Sequence, residues 1–224
     1  MAERLGSGEW SFEVQESWAR IPGEIVLGDC AAVGVDSKDN VYAFNRGDHP
    51  IAVFDNDGNL LRTWGEPGTD PGQFNIPHNI CCDPEGWLYI ADRENHRVQV
   101  FDGDGKWETQ WNNLHRPNGM CLARGPDPLC YIGEGGPSGE INKDWPNIGP
   151  RVSIHTTEGK VLARLGKPHG GMLPGQFTSP HGIAVDSRGN IFVGELSGRS
   201  WSRFSTEPVP KKRRVIHRLR KIDA

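Results

Sequence analysis

The stretch GQFNIPHNICCDPEG, which begins at Gly72, returns at Gly175 as GQFTSPHGIAVDSRG. A chain that repeats itself at such spacing is built from copies of one supersecondary unit. Such units bury their apolar faces only by stacking on one another. Four copies align, at 31–65, 78–111, 118–166 and 181–224. Each reads as a strand, a tight turn, a second strand, a connection, a third strand, a turn such as DNDGN (55–59) or DGDGK (102–106), and a fourth strand. Alternating apolar residues and Asp/Gly turn chemistry support each step. A four-stranded antiparallel meander of ~40–50 residues has the size of a propeller blade. The expected fold is therefore an all-β propeller of four four-stranded blade units, in a single domain over 1–224. The last copy stops after its third strand. The segment WSFEVQESWAR (10–20) is expected to supply the missing fourth strand and remove two exposed edges.

Composition narrows the function. Its 29 Gly and 17 Pro fit many strands and turns, and no apolar run is long enough to span a membrane. Residues 208–224 hold seven Lys/Arg and one acid, leaving 18 basic and 28 acidic residues elsewhere, a net charge of −10. An acidic body argues against nucleic acid as a partner. The run PKKRRV (210–215) fits a nuclear import signal or, more commonly, a solvated loop. Five cysteines and no apolar leader suggest reduced, buried thiols in a cytoplasmic protein.

Strand parity then places the interesting residues. Within each meander, the first-to-second and third-to-fourth turns share one pole, and these are short. The long connections, including 133–150 and 197–214, all fall on the other pole, where binding sites favour elaborated loops. His78 and His181 begin the innermost strands of their blades at that pole; Ala31 and Asn118 are their equivalents. Arg46 and Arg93 end second strands there. Asn45, Asp92, Glu134 and Glu195 each sit at the end of a second strand and are expected to join the same mouth. Paired imidazoles suit a transition metal such as zinc, and paired guanidiniums suit a carboxylate. The alternatives are repeat consensus for the histidines and local ion pairs for the arginines. Tyr42, Tyr89, Tyr131 and Phe192 share one position and read as core. His49, His96 and His217 read as one structural position. His115, His155 and His169 have no constellation around them. The tandem Cys81 and Cys82 point to opposite faces of one strand. The 133–150 loop is the best candidate lid.

ADRENHRVQVFD (91–102) resembles the signature of NHL-repeat propellers, with the Asn-His pair at Asn95 and His96. FNRGDHP (44–50), PGQFNIPHNI (71–80), ADRENHR (91–97) and SPHGIAVD (179–186) resemble the peptidyl-α-hydroxyglycine α-amidating lyases and their bacterial relatives. That resemblance covers roughly residues 10–224. It implies a six-bladed relative in which three histidines on alternate blades hold zinc. Two arginines and a tyrosine complete the site, where a hydroxyglycine C–N bond breaks to give an amide and glyoxylate. His78 and His181 match two of the zinc histidines, and Arg46 and Arg93 match the arginines. The third histidine and the tyrosine have no counterpart, as though two blades were excised near Glu66. The calcium-ligating acid of those lyases is Gly182 in this chain.

Three functions follow as expectations. One is a metal-dependent lyase or hydrolase with zinc on His78 and His181 and a substrate carboxylate on Arg46 and Arg93. Another is a non-catalytic propeller binding a small ligand or peptide at the same pole. The third is a shortened propeller that associates with another copy of itself. None involves nucleic acid or a membrane.

Overall fold

The computed structural model describes residues 4–222 except 124, 126, 140, 143 and 144. Four antiparallel sheets follow one another along the chain. The first blade orders β3 (Cys30–Val35), β4 (Val41–Asn45), β5 (Ile51–Phe54) and β6 (Leu60–Trp64), after an arm holding β1 (Arg4–Leu5) and β2 (Phe12–Glu13). A small parallel pair, β7 (Glu66–Pro67) and β8 (Gln73–Phe74), lies in the connection to the second blade. That blade orders β9 (Asn79–Cys82), β10 (Leu88–Asp92), β11 (Arg97–Phe101) and β12 (Trp107–Trp111). The third orders β13 (Pro117–Leu122), β14 (Leu129–Glu134), β15 (Arg151–Thr156) and β16 (Val161–Leu165). The fourth has three strands, β17 (Pro180–Val185), β18 (Ile191–Glu195) and β19 (Ile216–Leu219). The chain is a four-bladed β-propeller, as the repeats imply.

The short turns close on an aspartate. Asp36, Asp83, Asp102 and Asp186 each accept the amides two and four residues on. This lets the chain reverse through one left-handed residue, such as Gly86 or Gly105. Tyr42, Tyr89 and Tyr131 pack in the apolar cores as expected, but Phe192, read as core with them, is only half-buried and joins none of those cores, because no following blade covers its face. Tyr42 and Tyr89 are buried, and their hydroxyls donate to Asp36 and Asp83 at the adjacent turn.

Apolar cores form between successive blades. One joins the first and second through Phe44, Ile51, Ile80 and Ile90. A second joins the next pair through Val98, Trp111, Met120 and Ile132, and a third joins the last pair through Val152, Phe177 and Val193. Cys82 packs in the first core and Cys81 in the second, so the tandem cysteines do serve opposite faces. Burial pushes both thiols up to about 12, which keeps them protonated and inert. Cys30, by contrast, is exposed rather than buried.

The N-terminal arm departs from expectation. Residues 10–20 do not complete the fourth blade; β2 pairs only with β1. The arm instead hooks onto the first blade. Trp18 Nε1 donates to the Asn56 carbonyl, the Arg20 amide donates to the Gly58 carbonyl, and the Trp18 ring packs on Phe54 with centroids 5.6 Å apart. The DNDGN turn offers outward carbonyls there, and these fix the arm on the first blade.

A basic mouth on the long-loop pole

Parity holds: His78, His181, Arg46 and Arg93 line one cavity of about 320 Å³. The two imidazoles meet edge to face with centroids 4.5 Å apart, across Asn118 of the intervening blade. A glycine makes this approach possible. A Cβ on Gly119 would lie 2.1 Å from the His181 carbonyl oxygen, so β13 and β17 pack backbone to backbone. Gly119→Ala is expected to force these strands apart, with a stability loss of about 1–3 kcal/mol. Thermal unfolding reads the loss, and a separation of the two imidazoles' NMR shifts from each other's ring current reads the displacement.

Both imidazoles are held neutral. Burial, then His181, Arg93 and Arg46, bring His78 down to about 3. Burial, then Arg93, Arg199 and Arg116, lower His181. The ordinary imidazole value is 6.5, so on acidification the unfolded chain takes up its proton first. The stability linked to neutral His78 is complete above about pH 6.5 and is lost progressively down to about pH 3. His78→Asn should therefore flatten the fall of unfolding free energy between pH 6.5 and 4. A slope identical to that of the unmutated protein would show that His78 is not depressed.

Three further arginines enter the mouth: Arg116, Arg199 and Arg203. Glu94 pairs with Arg93 and with Arg116, each at 2.8 Å. Among the described residues no ion pair engages Arg46, Arg199 or Arg203. Burial and the crowd of neighbouring guanidiniums press the pKa values of Arg93 and Arg203 below the ordinary arginine value. The repeat does mark Arg116. HRPNG (115–119) aligns with NIPHN and SPHG, so Arg116 sits two residues before the Asn118 counterpart of His78. Arg199 and Arg203 lie on α1 (Ser197–Ser200) and the helical turn Trp201–Arg203. These have no counterpart in the other copies, so no repeat could mark them.

The carboxylates do not join the mouth. Asp92 is fully buried and accepts the Asn75 amide, Asn95 Nδ2 and Arg97 Nε, each at 2.8 Å. Glu134 accepts the His115 amide and Arg151 Nε and Nη2, while Arg151 Nη1 donates to the Asn147 carbonyl. Glu195 accepts the Thr178 and Ser179 amides and meets His217 Nε2. Asn45 accepts the Gly28 and Gly47 amides. This position thus pins the loop entering each innermost strand, and its side chain turns into the blade. Loop amides, not the ligand site, set its chemistry.

The histidines outside the mouth also need correction. His217 pairs across from Val193 as Gln99 pairs across from Ile90, so it is the counterpart of Gln99 rather than of His96. His115 does have a neighbour: its ring lies 4.5 Å from that of His96, and burial, then His96, bring it down to about 4. His155 stacks on Trp111. None of the described residues of the 133–150 loop lines the cavity; its residues 140, 143 and 144 lie outside those described. The overhanging element is the 197–203 helical segment.

The donor set bears on zinc directly. His181 Nδ1 is buried with no hydrogen-bond partner, and both rings are neutral, as metal ligands require. No group of three potential ligands exists among the described residues, and Glu134 and Glu195 are consumed by loop amides. A catalytic zinc takes three protein donors and an open position. Two imidazoles among five guanidiniums do not fit it.

Residues 74–101 match the NHL repeat family model. The chain is similar in fold to a streptogramin B lyase (TM-score 0.57, 13% identity, 78% of this chain and 51% of that one). It is similar also to the virginiamycin B lyase of Staphylococcus aureus (TM-score 0.54, 16% identity, 75% and 50%). The computationally designed Ika4 protein matches with TM-score 0.55 and 12% identity over 82% of this chain and 94% of its own. The chain spans about half the length of the two lyases. At these identities the likeness is one of fold.

Proposed function

We propose that this chain is a ligand-binding propeller whose long-loop pole takes a small organic anion bearing a carboxylate. The observation that carries the reading is the convergence of Arg46, Arg93, Arg116, Arg199 and Arg203 on one cavity with Glu94 as their only carboxylate partner among the described residues. Planar guanidiniums match a carboxylate with paired, charge-assisted hydrogen bonds. Neutral His78 and the unpartnered His181 Nδ1 add hydrogen-bonding capacity without further charge. Arg46 also borders a second, more apolar cavity of about 470 Å³ beside Pro50, Pro67 and Phe74. That space suits the body of a ligand whose charged end lies among the arginines.

The metal-dependent lyase or hydrolase remains the second reading, supported by the touching imidazole pair. Because the donor set falls short of a resident zinc, no step is routed through one. The two readings separate in one experiment. Purified protein is analysed for metal, then titrated calorimetrically with oxalate and with glyoxylate. The binding reading expects saturable anion uptake without metal, weakened by salt and unchanged from pH 6.5 to 8, because only the arginines carry charge. Absence of uptake refutes it. Stoichiometric zinc that disappears in His78→Ala/His181→Ala would establish a metal site on the imidazole pair and favour the second reading.

A further inference from the structure

The repeats assign every blade two faces. The third and fifth apolar positions of the innermost strands pack toward the preceding blade: Ile80 and Cys82 against the first, Met120 and Leu122 against the second, Ile183 and Val185 against the third. Their counterparts in the first blade are Val33 and Val35, and these are 64% and 54% exposed. The opposite face follows the same rule. Ile51, Val98 and Val152 pack toward the following blade and are each 0% exposed. Their counterpart in the fourth blade is Ile216, which pairs across from Gly194 as Val152 does from Gly133, and it is 68% exposed. Among the described residues, no apolar core joins the fourth blade to the first.

We infer that these two free faces form an interface with a second copy of this chain, the first blade of each copy packing on the fourth blade of the other. The occupant follows from the repeat. This chain builds the same seam three times within itself, so the surface shaped to cover Val33 and Val35 is the face that carries Phe192 and Ile216. The chain's own arm covers only Phe54, through Trp18, and leaves the two valines open. A head-to-tail contact used twice closes the pair and leaves neither face exposed. The inference does not depend on the ligand at the mouth.

Native mass spectrometry and sedimentation across a concentration series test it. The unmodified chain should show twice the chain mass. Val33→Asp/Val35→Asp and, separately, Ile216→Asp should each shift the mass to one chain, with circular dichroism unchanged because these side chains are already exposed. Mixing the two variants should restore pairs, since one seam in the mixed pair joins two unaltered faces. A single chain at every concentration overturns the inference. So does pairing that survives both substitutions, or a mixture that stays monomeric after each variant alone has dissociated.

Discussion

Asp92→Ala is expected to lower the free energy of unfolding by about 3–5 kcal/mol. The carboxylate is fully buried, and Arg97 beside it is nearly so. Removing Asp92 leaves that guanidinium in the interior with its charge uncompensated, and breaking a buried pair in this way costs more than the pair itself contributes. The Asn75 amide loses its acceptor as well, and Gln99 Nε2 is left with the Gln73 carbonyl alone. Arg97 keeps its bonds to the Thr69, Asp70 and Gln73 carbonyls, so the loop beneath it stays partly anchored. Asp92→Asn retains an acceptor for the Asn75 amide and should fall between the alanine variant and the unmutated protein. Urea denaturation measures both. A loss below about 1 kcal/mol for the alanine variant, within the range of ordinary surface changes, would mean that the pair does not hold the blade.

Arg93→Ala should weaken oxalate binding about 10–100-fold. One hydrogen bond to a charged group contributes about 1.5–3 kcal/mol, and tenfold in affinity is about 1.4 kcal/mol. Arg93 is half-buried and reaches the cavity from the end of β10 with its orientation fixed by Glu94. Arg46 lines the same cavity from an exposed rim, where a charge steers encounter more than it sets affinity, so Arg46→Ala should cost less. Calorimetric titration at constant ionic strength separates the two. Equal losses at both positions would mean that only net charge matters and that the mouth has no built geometry.

The blade count, the two poles and the shared position of the tyrosines were legible in the sequence, because strand alternation and turn residues recur in every copy. The same regularity placed His78, His181, Arg46 and Arg93 around one opening. Parity, however, gives the pole of a residue and not the direction of its side chain. Asp92, Glu134 and Glu195 reach the correct pole and then turn inward, drawn by the amides of the incoming loops. The arm at 10–20 carries no repeat pattern, so nothing in it disclosed that Trp18 would settle on Phe54. Arg199 and Arg203 sit in an insertion without a counterpart. The open seam was equally hidden. Periodicity shows that both outer faces are apolar, but the angle at which blades pack on one another decides whether they meet.

Crystals soaked in selenate give the most direct test of the mouth, since the ion is a tetrahedral oxyanion with a usable anomalous signal. A selenium peak within hydrogen-bonding reach of Arg93 and Arg116, beside the paired rings of His78 and His181, is the predicted result. An empty cavity would contradict the account, and so would a structure that places His78 and Arg93 at opposite poles.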